Sequence, residues 1–362
     1  MSTNWLYSLN RNSWRCWHTY ALPPWCTSGP GLFGAKSLTL ADDDDNFDVA
    51  VCSICFDSTA STHIGARDGP LSIRRASLGF STQLSSRKLT ELTNLRTGLL
   101  GAIHSRSIAD FGDLRVFPSS PQRQVEATAA EVFEMVHRGR LLVILGGEHT
   151  ISFPCFAAVR EAMRQAGKSL GYVQIDHHFD FGEHSILHGA YYHGSNARRI
   201  SELPDMRMDQ IGFIGQGDIT DSRQLAMLNK SGCTIRHRRH IREVGYATAL
   251  RQTLDAVCAT ASDGVYVSID IDVCDNSAAP GTGHVTIGGI TADDLLTTAM
   301  VLQEYPVRAV DIVEVNPHRD DIGRTSAIVA RLLYEMLLVD WAGPSLEWST
   351  ARHEECDCDA AR

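Results

Sequence analysis

Beyond residue 46 the chain alternates between short, almost wholly apolar runs and longer stretches whose apolar side chains recur every three or four positions. The runs at 48–56, 141–145, 171–175, 210–214, 265–271 and 307–313 are rich in Val and Ile and read as strands buried on both faces. Between them, residues 124–137, 153–166, 247–261 and 291–302 carry the helical period. This alternation predicts an α/β fold of three layers, with a mostly parallel central sheet covered by helices on both faces. In such sheets ligand sites form beyond the carboxyl ends of the strands, so the polar residues that close each apolar run become the first candidates.

Two of those ends are unusually rich in ligand groups. Asp176-His177-His178-Phe179-Asp180 and Ser268-Ile269-Asp270-Ile271-Asp272 both put polar side chains at i, i+2 and i+4, the spacing that shares one face of an extended chain. A third end, Gly146-Gly147-Glu148-His149, adds another imidazole. Read singly, each aspartate could cap a helix or order a loop. Read together, His149, Asp176, His178, Asp180, Asp270 and Asp272 bring four carboxylates to one place, and these would repel one another unless cations neutralised them. The oxygen-rich set with two imidazoles suits a pair of divalent ions, Mn2+ foremost. A single zinc would need fewer ligands, and the lack of thiolates argues against iron–sulfur or copper chemistry. His177 points to the opposite face from His178 and is assigned to packing or to a hydrogen bond behind the ligands.

Composition narrows the partners. A chain of 362 residues with 43% hydrophobic content can bury a sizeable core. Its formal net charge of -10, with no basic run, disfavours nucleic acid and suits a small cation. Ten cysteines are scattered, and neither Cys52/Cys55 nor Cys356/Cys358 has a second pair to complete a zinc cluster. They read as reduced thiols of a cytoplasmic protein. No apolar run approaches the ~18 residues that would span a bilayer, so no membrane partner is expected. Residues 1–41 lack Asp and Glu yet hold Trp5, Trp14, Trp17 and Trp25, and are broken by prolines and glycines. They read as an irregular arm whose tryptophans suit packing on a neighbouring subunit. The expected organisation is an arm and acidic linker over 1–47, a catalytic domain over 48–341 and a tail over 342–362.

The motifs within 48–340 closely resemble the ureohydrolase family of arginase, agmatinase and their relatives, specifically its agmatinase-like branch. The resemblance rests on Gly65-Ala66-Arg67-Asp68-Gly69-Pro70 with Ile73, Arg74 and Ser77, then Asp110-Phe111-Gly112-Asp113, Gly146-Gly147-Glu148-His149 and Asp270-Ile271-Asp272-Val273-Cys274-Asp275. It continues through Ala279-Pro280-Gly281-Thr282-Gly283 and Asp311-Ile312-Val313-Glu314-Val315-Asn316-Pro317. The resemblance implies a hydrolase with two metal ions. His149, Asp176, Asp180 and Asp270 would hold one, while His178, Asp176, Asp270 and Asp272 would hold the other. It also implies that Glu314 grips the guanidinium and that His188 passes a proton to the departing amine. Trimers, hexamers or related rings, either of one chain or with a related subunit, are implied by resemblance alone.

The departures from the family pattern bear on substrate. The loop Phe181-Gly182-Glu183-His184-Ser185-Ile186-Leu187 has no asparagine to hold an α-carboxylate, and Glu183 would repel one. Free arginine is therefore disfavoured against agmatine, another decarboxylated guanidine, or guanidine or a biguanide. Phe181 and Tyr191 would wall the pocket with Phe179 and Tyr192. Glu148 replaces a common aspartate, Asn276 a usual proline, and His284-Val285-Thr286-Ile287 stands where the family often has Thr-Pro-Glu-Pro. The expected activity is cleavage of a carbon–nitrogen bond in a small guanidine-type cation. The alternatives are a nickel-dependent guanidine or biguanide hydrolase and a non-catalytic partner subunit, against which the intact ligand set argues. The same ligands accept Mn2+ or Ni2+.

Overall fold

The computed structural model describes residues 29–87, 90–103, 106–136 and 141–341. Its strands in chain order are β1 (Lys36–Ser37), β2 (Val49–Ile54), β3 (Glu91–Thr93), β4 (Leu100–Ile103), β5 (Ile108–Asp113), β6 (Leu141–Gly146), β7 (Gly171–Ile175), β8 (Ile211–Ile214), β9 (Thr234–Arg236), β10 (Val265–Asp270), β11 (Val307–Val313) and β12 (Val339–Trp341). The helices are α1 (Gly69–Arg87), α2 (Pro121–Val136), α3 (Ser152–Gln165), α4 (Asn196–Ser201), α5 (Ser222–Ser231), α6 (Arg238–Val244), α7 (Tyr246–Cys258), α8 (Ala292–Leu302) and α9 (Arg324–Leu337).

Among the described residues the main sheet has the order β1-β5-β2-β6-β11-β10-β7-β8-β9, and its pairings are parallel. Side-chain parity explains why both faces are covered. In β6, Leu142 and Ile144 pack with Val132, Phe133 and Phe156 of α2 and α3. Val143 and Leu145 point the other way, into a second core with Leu250, Leu254, Leu295 and Leu333 of α7, α8 and α9. The expected three-layer α/β architecture is therefore present, and each strand and helix read from the apolar pattern coincides with an observed element.

Some elements were not anticipated. Helices α1 and α9 pack against each other on one face, and a small antiparallel sheet β12-β4-β3 lies apart from the main one. The region expected to be an irregular arm and linker also joins the main body in part. Leu32 is fully buried, and Lys36–Ser37 extends the sheet edge beside β5. The Asp42 to Asp45 stretch remains at the surface, where Asp44 pairs with Lys36. Residues 1–28, with the four tryptophans, and the tail at 342–362 lie outside the described residues.

Buried ionic links tie the outer strands to the body. The Arg74 guanidinium on α1 donates to both carboxylate oxygens of Asp110 (2.8 and 2.7 Å) and to Asp113 (3.1 Å), with all three residues buried. Asp110 also accepts the Leu32 N–H at 2.8 Å, so one carboxylate joins α1, β5 and the segment that leads into β1. The six cysteines of the described residues carry free thiols. No helix among these residues is long and apolar enough to cross a membrane.

Candidate metal centre

The strands β6, β11, β10 and β7 are neighbours in the middle of the sheet, although they are far from consecutive in the chain. Their carboxyl ends deliver His149, Glu314, Asp270 with Asp272, and the segment 176–180 to one place. Local backbone chemistry holds each in position. Gly147 approaches the Phe56 carbonyl so closely that any Cβ would collide, and this lets Gly147 and Glu148 donate to Ile54 and Phe56 at 2.8 Å. Asp270 caps a single 3-10 turn by accepting the Asp272 N–H at 2.9 Å. Asp180 and Glu314 adopt positive φ (45° and 63°), a conformation L side chains seldom hold and one that concentrates at functional sites.

The predicted ligands converge. His149 Nδ1 lies 3.2 Å from Asp176 Oδ2, 2.9 Å from Asp180 Oδ2 and 3.2 Å from Asp270 Oδ2. His178 Nδ1 lies 3.1 Å from Asp272 Oδ2 and 3.5 Å from Asp176 Oδ1. His149, Asp176, Asp180 and Asp270 form one potential ion-binding group, and His178 with Asp272 form a second that also includes His284. His149 Nδ1 and Asp272 Oδ1 are buried, with no directed hydrogen bond to satisfy either. Such orphaned ligand atoms facing a shared space fit two cations better than a self-contained hydrogen-bond network.

The site's charges show the same need. Burial would depress the His149 and His178 imidazoles, yet the neighbouring aspartates outweigh it and raise both. Burial raises Asp270, with Asp272 and Asp176 adding to it, and burial with Asp176 raises Asp180. Asp176 moves down, because its contacts with His149 and His178 overcome the burial that opposes ionisation. The crowding of carboxylates around the two imidazoles is the imbalance that a pair of divalent ions would relieve, taking the place of protons on those rings.

A file of polar side chains, not anticipated from sequence, stands behind the ligands. Ser268 Oγ donates to Asp311 Oδ1 at 2.6 Å, and Tyr266 OH donates to Asp311 Oδ2 at 2.5 Å. Since the Ser268 proton is committed to Asp311, its oxygen accepts from His149 Nε2 at 2.9 Å, which leaves the Nδ1 lone pair for an ion. Gln174 Nε2 donates to Asp176 Oδ2 at 2.7 Å, and Tyr172 OH donates to Gln174 at 3.1 Å. A signal was present in parity: Gln174 and Ser268 are polar residues inside buried strands, two positions before an aspartate ligand. His177 is buried as expected, but its Nδ1 makes no hydrogen bond.

The centre opens into a cavity of about 250 Å³ lined by Thr62, His63, His193, Asp218, His284 and Glu314, together with ligand residues. Glu314 Oε1 accepts the His149 N–H at 2.9 Å, and burial with the nearby Glu148 raises its carboxyl well above the usual range. His193 Nδ1 donates to the Thr59 carbonyl at 2.7 Å, so its Nε2 is free to exchange a proton. The 58–65 loop is held by Asp57, which accepts the Gly65 N–H at 2.7 Å and pairs with Arg67 at 2.6 Å.

Several expected substrate contacts are placed elsewhere. His188 sits in a turn closed by Ser185 and Gly189 and does not line the cavity; His193-Gly194, a second His-Gly pair, does. Glu183 is exposed, with its carbonyl engaged by Arg199. Tyr191 stacks on Phe153 with ring centroids 5.9 Å apart. Phe181 is buried against Phe213 and borders an adjoining hollow instead. In each case the side chain finds apolar cover or solvent on the outer side of the loop, which linear proximity to Asp180 could not reveal.

A model of the arginase family matches residues 47–339. The chain is 31% identical to a guanidinobutyrase of Pseudomonas aeruginosa, over 82% of this chain and 87% of that one. It is 28% identical to the human mitochondrial guanidino acid hydrolase (85% and 82% covered) and 28% identical to an agmatinase of Bacillus subtilis (80% and 91%). The fold matches the proclavaminate amidino hydrolase of Streptomyces clavuligerus with a TM-score of 0.67 at 22% identity, covering 87% of this chain and 99% of that one. It matches the formimidoylglutamase of Bacillus subtilis with a TM-score of 0.70, also at 22% identity, covering 89% and 97%. Since the matched segment includes all four strand ends that build the centre, the chain belongs to the arginase family.

Proposed function

We propose that the protein hydrolyses a carbon–nitrogen bond of a small guanidine-type cation, giving urea or a substituted urea and an amine. His149, Asp176, His178, Asp180, Asp270 and Asp272 would hold two divalent ions. The observation that carries this reading is the convergence of these six side chains, of which His178, Asp180, Asp270 and Asp272 line one cavity together with the Glu314 carboxylate. When bound, the two ions supply a water acidic enough to act as a nucleophile near neutral pH.

The remaining steps fall to the chain's own groups. With Oε1 engaged by the His149 N–H, Glu314 keeps its second oxygen, on the Gly283 side, for the N–H fork of a guanidinium. His193 replaces His188 as the group that carries a proton to the departing amine. Its Nδ1 is fixed on the Thr59 carbonyl, so the proton moves at Nε2.

The lining favours a substrate without a carboxylate. Asp218 and Glu314 face the cavity, and its described lining includes no lysine or arginine to receive an anion. This separates the proposal from relatives named for guanidino acids and aligns it with those named agmatinase. The test is a product screen of metal-loaded protein against agmatine, 4-guanidinobutyrate, arginine, guanidine and dimethylbiguanide. A carboxylate-free guanidine should be turned over with kcat/KM at least about 10-fold above that of guanidinobutyrate, the scale of one unpaired charge contact. Preference for guanidinobutyrate would reject the cation reading.

A further inference from the structure

We propose that His284 is an additional ligand of the ion held by His178 and Asp272, making this half of the centre nitrogen-rich and biased toward Ni2+ over Mn2+. The inference rests on the binuclear reading above and concerns a residue outside its six ligands.

Three independent features support it. One ligand atom each from His178, Asp272 and His284 lies within 4.8 Å of the others, as three ligands of one ion require. The His284 ring meets the His178 ring edge-on, with centroids 4.5 Å apart, and neither of its ring nitrogens makes a hydrogen bond to a described residue. Asp272 Oδ1 is buried in the same place and is likewise unsatisfied. The buried Asp272 Oδ1 lacks a partner that a cation would supply, and the solvent-exposed His284 ring stands beside it with a nitrogen available to complete the same ligand set.

The segment presenting His284 is held in place on both sides. The Gly283 carbonyl accepts from Thr62 Oγ1 at 2.8 Å and contacts His63 Nδ1 at 3.1 Å, while Thr282 bridges to Val315. On the other side, Asn276 N–H donates to the Thr286 carbonyl at 2.9 Å, and Gly288 N–H donates to Asp275 at 2.8 Å. A ligand anchored this way loses little freedom on binding, as a preorganised site requires.

The chemical consequence is asymmetry. One ion would meet a single imidazole among three aspartates, whereas the other would meet two imidazoles. Imidazole suits nickel and oxygen donors suit manganese, and the general order of affinity also places Ni2+ above Mn2+. His284 stands where the family often has threonine, so His284→Thr removes the ring at a position that accepts a hydroxyl.

Metal-free full-length protein would be titrated with Ni2+ and, separately, Mn2+ against a competing chelator, with bound equivalents counted by mass spectrometry. The visible spectrum of the Co2+ form reports the ligand field. We expect His284→Thr to weaken one of two Ni2+ equivalents by at least about 100-fold, the upper range for a supporting residue. The other equivalent should be untouched, Mn2+ affinity should change far less, and the Co2+ spectrum should shift. Asp272→Ala is the control for the centre itself. If it loses one equivalent while His284→Thr keeps both with unchanged Ni2+ affinity and Co2+ spectrum, His284 is not a ligand and only this inference falls. If Asp272→Ala also retains both equivalents, the binuclear reading fails and takes this inference with it.

Discussion

Individual side chains set the chemistry of this centre, and the division of labour among its histidines is the clearest case. His149 and His178 face aspartates through Nδ1, His193 is pinned to a carbonyl through Nδ1, and His188 stands outside the cavity. Replacing His193 by Ala should slow turnover by about 10²-fold or more while leaving metal content intact. His188→Ala should change turnover little, and the reverse ranking in steady-state kinetics would return the proton-transfer role to His188. A second prediction concerns Glu148. Burial lifts its carboxyl from the usual 4.5 to about 7, against hydrogen bonds from Thr59 and Thr150 that pull it down. A carboxyl raised in the folded state carries no penalty below its unfolded value, and its destabilisation grows as pH rises from 4.5 to about 7. Metal-free protein should therefore lose stability across that window, and Glu148→Gln should flatten the loss. Denaturant midpoints at pH 5 and pH 8 measure this, and equal slopes for the two proteins would exclude Glu148 as the cause.

At the scale of elements, positioning is shared between strand ends and the polar file behind them. Ser268 and Asp311 orient His149 without reaching the cavity, so Ser268→Ala should cost about 10–100-fold in metal affinity with little change in global stability. A chelator competition showing unchanged affinity would deny the file its role. The link between α1 and β5 calls for a different kind of test. Arg74→Ala would leave Asp110 and Asp113 buried without their partner and should lower stability by about 3–5 kcal/mol, read from the shift in denaturation midpoint.

The element scale also shows what a linear reading reaches. The convergence of the six candidate ligands was legible because each lies at or just past the end of an apolar run, and a run's end in a parallel sheet faces the site. The short strand β1 and the sheet β12-β4-β3 were not legible, because two- to four-residue strands leave no period to detect. The cavity histidines 63, 193 and 284 escaped for another reason. They come from loops after β2, β7 and β10, separated by about a hundred residues, and only the order β2-β6-β11-β10-β7 brings those loops together.

Across the whole molecule, the architecture concentrates carboxylates at the middle of the sheet, a charge that the proposed pair of cations would offset. Removing the ions should therefore destabilise the fold as well as abolish turnover, with the loss growing as pH rises and buried carboxyls ionise. The most direct test of the account measures metal content and carbon–nitrogen hydrolysis in the same preparations of wild-type protein and Asp272→Ala. We predict two equivalents and turnover of a guanidine-type cation for the wild type, and one equivalent with turnover essentially lost for the variant. Full turnover in Asp272→Ala, or a wild-type protein holding two equivalents that hydrolyses no guanidino compound, would contradict the account.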